Sequence, residues 1–219
     1  ARLGRASKGL ARRGAQSRRL GFRKLFGHDV RFCRNRLDFA FFSYGRPVRI
    51  GTKSPKRSDQ ISDAMEAGIH RIEAGMPVVS HQDAKVVSDL AKRNLGPEIF
   101  SFARCMVDDV QRAVDAGVSG VVMEVPSSQH LIELGYRWEF ERAVDLSIES
   151  TKYAHEQGLK VVFFPIDFTR SDLKWVIDLI EKVGNEGHMD HLALVDTMGA
   201  TSIHAMPYFV NAIKQRIKV

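Results

Sequence analysis

Cysteine is nearly absent from this chain: Cys33 and Cys105 are the only two thiols in 219 residues. Two thiols cannot build a disulfide framework or a thiolate metal cluster, so neither scaffold holds the fold. Long apolar runs are missing too. The longest, Val161 to Ile166, is strand-sized and far short of the ~18 residues of a membrane helix, so no membrane contact is expected. No G-x-G-x-x-G follows a first strand and no Walker A sequence occurs, which removes two common nucleotide-binding fingerprints. No H-x-H pair occurs either.

Acids are missing from residues 1–27, which hold nine Lys/Arg and five glycines. The net charge of +7 is therefore a sum of unlike parts. Residues 1–60 carry 17 Lys/Arg against Asp29, Asp38 and Asp59, whereas residues 61–219 carry 16 against 23 acids. Like charges at that density repel, and scattered glycines weaken any helix, so residues 1–27 read as a disordered extension or a sequence artefact. Two functional readings stand beside that one. An arm of Lys/Arg gains affinity for nucleic acid by displacing phosphate counterions, and an Arg-rich, acid-poor start also suits an organellar presequence. Residues 28–60 show neither a helical period nor clean alternation, with a first strand near 28–33 or 37–42 as the best candidate.

From Ile61 the pattern becomes regular. Asp63–Ala67 ends in Gly68 and leads into 69–74; Arg112–Ala116 ends in Gly117 and leads into 120–125; Tyr153–Gln157 ends in Gly158 and leads into 160–166. Glycine at such a junction supplies the left-handed residue that stops a helix before a strand. Segments 99–104 and 191–196 complete five strands. Each is a short continuous apolar run, which implies burial on both faces. Between them lie amphipathic helices, one with Val107, Val110, Ala113 and Val114 on a single face, another with Leu173, Val176, Ile177, Ile180 and Val183. A last helix is expected over 203–216. Strands alternating with helices make a parallel α/β fold, either doubly wound or a (β/α)8 barrel. Glu73, Arg104, Glu124, Asp167 and Asp196 all fall at or just beyond strand C-termini, and in a barrel those ends share one mouth. Any one of them alone reads equally well as a loop residue capping the next helix; the set favours the barrel.

Five segments in order then resemble a known family. They are Ile72-Glu-Ala-Gly-Met-Pro77 with Ser80 and Asp83, Ser101-Phe-Ala-Arg-Cys105 with Asp108, Pro126-Ser-Ser-Gln-His130, Asp167-Phe-Thr-Arg-Ser-Asp172 and Val195-Asp-Thr-Met-Gly199. Over residues 60–219 the chain resembles the acyltransferases and lyases that include 2-isopropylmalate, homocitrate and citramalate synthases and HMG-CoA lyase. The resemblance implies a (β/α)8 TIM barrel, here truncated after about six strands. It implies a divalent metal (Mg, Mn or Zn), acetyl-CoA as co-substrate, a 2-oxo acid as substrate, a homodimer for the intact protein, a cytoplasmic setting and a role in amino-acid biosynthesis. An organelle replaces the cytoplasm if residues 1–27 are a presequence.

Carried over by position, the resemblance gives Glu73, Arg104 and Thr197 catalytic roles and places Ser128, His130, Asp167, Arg170 and Asp196 around the substrate. Arg104 suits a carboxylate, because a guanidinium fork binds one bidentately. Asp29 is the metal-ligand candidate, with Asp38 as the alternative. The departures are equally specific. Where synthases read S-x-E-D-x-x-R, this chain reads Phe164-Pro-Ile-Asp-Phe-Thr-Arg170, with Ile166 in the glutamate's place. The family's D-x-T-L-R is not intact, since Cys33 stands four residues after Asp29. With no H-x-H pair, the chain by itself is expected to show no turnover, and an incomplete barrel is expected to aggregate or take a partner. The alternative readings are a lyase, an inactive remnant and a nucleic-acid binder acting through its basic arm. His70, His81, His155, His188, His191 and His204 read as structural or loop residues, Cys105 as a small buried thiol, and Trp138 and Trp175 as packing.

Overall fold

The computed structural model of the chain describes residues 69–94 and 96–217. The basic extension, the poorly patterned stretch 28–60, Asp29, Asp38 and the Asp63–Gly68 junction lie outside the described residues. Within them five strands alternate with helices: β1 (Arg71–Glu73), α1 (His81–Lys92), β2 (Glu98–Arg104), α2 (Val107–Ala116), β3 (Gly120–Pro126), α3 (Phe140–Glu156), β4 (Lys160–Ile166), α4 (Leu173–Glu186), β5 (His191–Leu192) and α5 (Met206–Arg216). A π-helical turn, Leu131–Tyr136, follows β3, and a 3-10 turn, Phe168–Arg170, follows β4.

All strands are parallel and stand in the order β1-β2-β3-β4-β5. That order decides between the two architectures left open by the sequence. A doubly wound sheet reverses direction at a switch point, whereas here every crossover steps the same way, as in one arc of a barrel. Gly117 and Gly158 end α2 and the turn after α3 with φ of 73° and 76°, the left-handed geometry that glycine adopts without a Cβ penalty.

Two apolar clusters flank the sheet. The larger fills the space between strands and helices, with Val121, Met123, Val161 and Phe163 meeting Val110, Ala113, Val144, Val176 and Ile180. The smaller, Phe100, Val122 and Val162 with Phe102, Phe164 and Ala193, lies on the concave side. Strand side chains alternate between faces, and burial on both explains the continuous apolar runs.

Strand register divides the concave face into tiers. At the strand N-termini Arg71 Nε donates to Glu98 Oε2 at 2.9 Å, Lys160 pairs with the other Glu98 oxygen, and Arg71 Nη1 stands 2.8 Å from His191 Nε2. The apolar tier lies above these groups. Arg104, Glu124 and Phe164 share the next level, being register partners across β2, β3 and β4.

Several element boundaries differ from the sequence pattern; β1, for one, spans only Arg71–Glu73 rather than 69–74. The last helix starts at Met206 rather than 203, because Pro207 fits only the first turn of a helix. The fifth strand pairs only over His191–Leu192, with one further bond from Ala193 N–H to the Phe163 carbonyl (2.9 Å); the chain then enters the Asp196 turn.

Candidate functional site

Two polar clusters form at the strand C-termini. The first is built on Arg104, the last residue of β2. Three residues on, α2 begins, and its buried Asp109 turns back to grip the guanidinium: Arg104 Nε and Nη2 donate to the two carboxylate oxygens at 2.8 and 2.9 Å, and the Arg104 backbone N–H adds a third bond at 3.1 Å. The Arg104 side chain is 46% exposed while that of Asp109 is 2% exposed, so the acid is the fixed anchor and the guanidinium faces out. Two of five guanidinium N–H donors are used, leaving three for another carboxylate. Beside it the half-buried Glu124 accepts from the Tyr136 hydroxyl at 3.0 Å. Burial pushes the Glu124 carboxyl above its ordinary range. Burial, with the adjacent Glu124 charge, pushes the Tyr136 phenol up to about 12.

The second cluster centres on Asp167, whose side chain is fully buried. Arg170 Nε and Nη2 donate to its two oxygens at 2.6 and 2.7 Å, and Ser128 Oγ donates at 2.6 Å. His130 Nε2 lies 3.9 Å away. The Arg170 guanidinium, first, and the Ser128 hydroxyl hold the Asp167 carboxyl below its ordinary range, against the opposing effect of burial. The backbone of Asp167 is left-handed, φ 64°, a conformation aspartate tolerates better than most side chains. Its N–H donates to Thr197 Oγ1 at 2.8 Å, which joins β4 to the turn after β5. There Asp196 accepts from Thr169 Oγ1 (2.6 Å) and from the backbone N–H groups of Ala200 (3.0 Å) and Thr201 (3.1 Å). Thr197 thus uses an oxygen lone pair to brace Asp167 and keeps its own O–H as a donor.

Ser128, His130, Asp167, Arg170, Asp196 and Thr197 are therefore brought together, while Arg104 belongs to the neighbouring cluster with Glu124. Glu73 stands apart at the end of β1; crowding on the concave face pushes its carboxyl upward although it remains exposed. Sequence reasoning missed Asp109 and Tyr136. The signal for Asp109 was an acid five residues after Arg104 at a helix start; Tyr136 had none, because its reach depends on the π-helical turn. Ser80 and Asp83 serve the fold: Ser80 caps α1, accepting from the Asp83 N–H at 3.1 Å. Cys105 is buried, and burial pushes its thiol up to about 12, so it stays protonated as a packing residue. Trp138 packs on Tyr136 and Trp175 on Phe140.

The HMGL-like family matches residues 51–219. The chain belongs to the HMGL-like family. It is 35% identical, over 70% of its length, to a homocitrate synthase of Methanothermobacter thermautotrophicus, and 29% identical over 70% to a 2-isopropylmalate synthase of Methanocaldococcus jannaschii. It spans 39% and 30% of those two proteins. The fold is similar to that of HMG-CoA lyase from Bacillus subtilis, with a TM-score of 0.63 at 17% identity over 78% of this chain and 60% of that one. The Pseudomonas aeruginosa lyase gives 0.59 at 16% identity, over 73% of this chain and 57% of the other.

Family membership raises the question of a divalent metal. Among the described residues no three His, Cys, Asp or Glu side chains converge as donors. Asp167 and Asp109, the most buried acids of the two clusters, are each saturated by an arginine. The described residues therefore do not fit a divalent metal. No helix among the described residues is long and apolar enough to cross a membrane.

Proposed function

We propose that this chain contributes one arc of an acyltransferase barrel that condenses acetyl-CoA with a 2-oxo acid. The carrying observation is the hydrogen-bonded assembly of Ser128, Asp167, Arg170, Asp196 and Thr197 at the C-terminal ends of parallel strands, where barrel active sites sit. The named relatives at 29–35% identity are synthases, and they support condensation over cleavage. In the reaction a carbon–carbon bond forms between the acetyl methyl carbon and the keto carbon, the methyl group loses a proton and the keto oxygen gains one. Water then cleaves the thioester, releasing CoA as its thiol.

The residues present suit the binding half of that task. Arg104, held by Asp109, offers its remaining N–H donors to the substrate carboxylate. Thr197 donates its hydroxyl to a substrate oxygen, and the Asp167–Arg170–Ser128 network fixes the loop that carries it. His130, 52% exposed, borders the same opening. Glu73 stands apart at the end of β1, its carboxyl shifted upward by partial desolvation. A soluble protein acting on small molecules fits this reading, with a homodimer as its assembly.

The test is direct titration of the chain with 2-oxo acids, coupled to a thiol assay for CoA released from acetyl-CoA. Saturable 2-oxo acid binding that Arg104→Ala abolishes is the expected result. Absence of 2-oxo acid binding overturns the proposal. Turnover by the chain itself overturns the expectation that the chain alone is inactive.

A further inference from the structure

Glu124 is the one acid of the two clusters that no arginine grips and no backbone N–H holds. It is the register partner of Arg104 on one side and of Phe164 on the other, and neighbouring strands sit about 5 Å apart. Its Oε1 accepts from the Tyr136 hydroxyl at 3.0 Å, while among the described residues Oε2 takes no hydrogen bond. The charged and titratable groups that act on it come from three elements: Arg104 from β2, Asp109 from α2 and Tyr136 from the π-helical turn. Phe164 on β4 adds no charge, and Cys105 adds none because burial pushes its thiol up to about 12. Burial of Glu124 itself is the largest influence and raises its carboxyl, against the Tyr136 hydroxyl and the Arg104 charge.

A charge count decides what happens when a ligand arrives. Asp109 already occupies two N–H groups of Arg104. A ligand carboxylate on the remaining donors would leave one guanidinium facing three carboxylates as long as Glu124 is charged. Carboxylates crowded into one site do not all stay ionised; one of them holds a proton to higher pH. Asp109 is gripped by the arginine, and the carboxyl of a 2-oxo acid is a stronger acid than any side-chain carboxyl. Glu124 keeps an oxygen with no donor on it, and its burial already favours the neutral form. The proton therefore goes to Glu124.

Resting on the 2-oxo acid reading above, we infer that binding of the ligand carboxylate at Arg104 loads Glu124 with a proton from solvent, turning this side chain from an acceptor into a hydrogen-bond donor beside the ligand. A carboxylic acid kept neutral in this way can donate to an oxygen on which negative charge develops. Tyr136 is a positioning residue: its O–H supports the charged carboxylate of the empty site. The sign of the pH dependence follows. The liganded carboxyl keeps its proton to higher pH than the empty one, so affinity is highest in mild acid and falls as pH rises from the empty-site value toward the liganded one.

The experiment is calorimetric titration of the 219-residue chain with pyruvate at pH 6, 7 and 8, each in two buffers of different ionisation enthalpy so that proton uptake is read directly. Affinity is expected to fall about fivefold from pH 6 to pH 8, with about half a proton taken up at pH 7. Glu124→Gln, neutral at every pH and checked by circular dichroism, should bind within about threefold of the native chain at pH 6, with no proton uptake and no pH dependence. Tyr136→Phe should move the fall in affinity to higher pH, a displacement that lost packing alone does not produce. Pyruvate binding with flat affinity and no proton uptake in the native chain overturns the inference and leaves the 2-oxo acid reading intact. Proton uptake that persists in folded Glu124→Gln overturns it too, and points to His130, which borders the same opening at 52% exposure. Absence of pyruvate binding at every pH overturns the 2-oxo acid reading and the inference with it.

Discussion

Replacing Asp167 by Asn tests whether the ion pair at the centre of the second cluster holds this end of the sheet. Asparagine matches aspartate in size and tolerates the left-handed backbone that Asp167 adopts at φ 64°, so the substitution removes charge without adding backbone strain. Three hydrogen bonds end on the native carboxylate, two from Arg170 and one from Ser128. One amide oxygen can keep part of that set, but the amide nitrogen must then face a donor. At least one charge-assisted bond is lost, and such bonds contribute about 1.5–3 kcal/mol each. Arg170 is only 36% exposed, which leaves some water to solvate the orphaned guanidinium, so a total cost of about 2–3 kcal/mol is expected. Urea unfolding at neutral pH should register it as a lower midpoint with unchanged slope. The pH dependence carries a second, independent signature. The folded-state carboxyl is held below its ordinary value of 3.8, so its stabilisation is fully present above that value. It is lost as pH falls through the depressed folded value. The native and Asn chains should therefore converge in acid and separate toward neutral pH. A difference that stays constant across this window, or a cost below about 0.5 kcal/mol at neutral pH, is the size of an ordinary surface change and would refute the argument.

Three further outcomes follow from particular contacts. Gly120→Ala places a methyl group 2.6 Å from the Lys160 carbonyl oxygen and closer still to the Phe100 ring; with backbone on one side, overpacking should cost about 1–3 kcal/mol, read by thermal or urea unfolding. Asp109→Asn releases Arg104 from its anchor, so 2-oxo acid affinity should fall about tenfold while Gln at Glu124 leaves it within about threefold, a contrast calorimetry resolves because each 1.4 kcal/mol is tenfold. Cys105, buried with its thiol pushed up to about 12, should resist iodoacetamide at mildly alkaline pH in the folded chain and react on unfolding, as peptide mass mapping of residue 105 would show.

Most of the arc could be read from residue order because its determinants are local. Gly117 and Gly158 mark helix ends by a backbone geometry that few other residues adopt, and the apolar runs at 120–125 and 160–166 announce two-sided burial. The same locality limits what the pattern says about edges: β5 pairs over two residues rather than six, since pairing length depends on neighbours that the segment does not encode. The site divides along the same line. Asp167, Arg170 and Ser128 were legible, being carried by short motifs next to strand ends. The grip of Asp109 on Arg104 and of Tyr136 on Glu124 was not, because each depends on how a turn folds back over the strand it has just left.

The tier of Arg71, Glu98, Lys160 and His191 makes the point physically. These four residues are scattered over 121 positions of the chain and none belongs to a motif, yet strand register sets them together on one face. Arg71 is 9% exposed and is satisfied by Glu98 on one side and the His191 ring on the other. Arginine has no acceptor atom, so His191 Nε2 must accept at this contact, which places the ring proton on Nδ1. A charged tier at the strand N-termini, an apolar tier above it and a polar mouth at the C-termini thus divide the work of the concave face. Ion pairs align the strand starts, aromatic packing fills the middle, and the arginine–carboxylate pairs at the mouth hold the groups offered to a ligand. Side chains that are paired but still reachable, such as Arg104 and His130, stand at this last tier of the concave face.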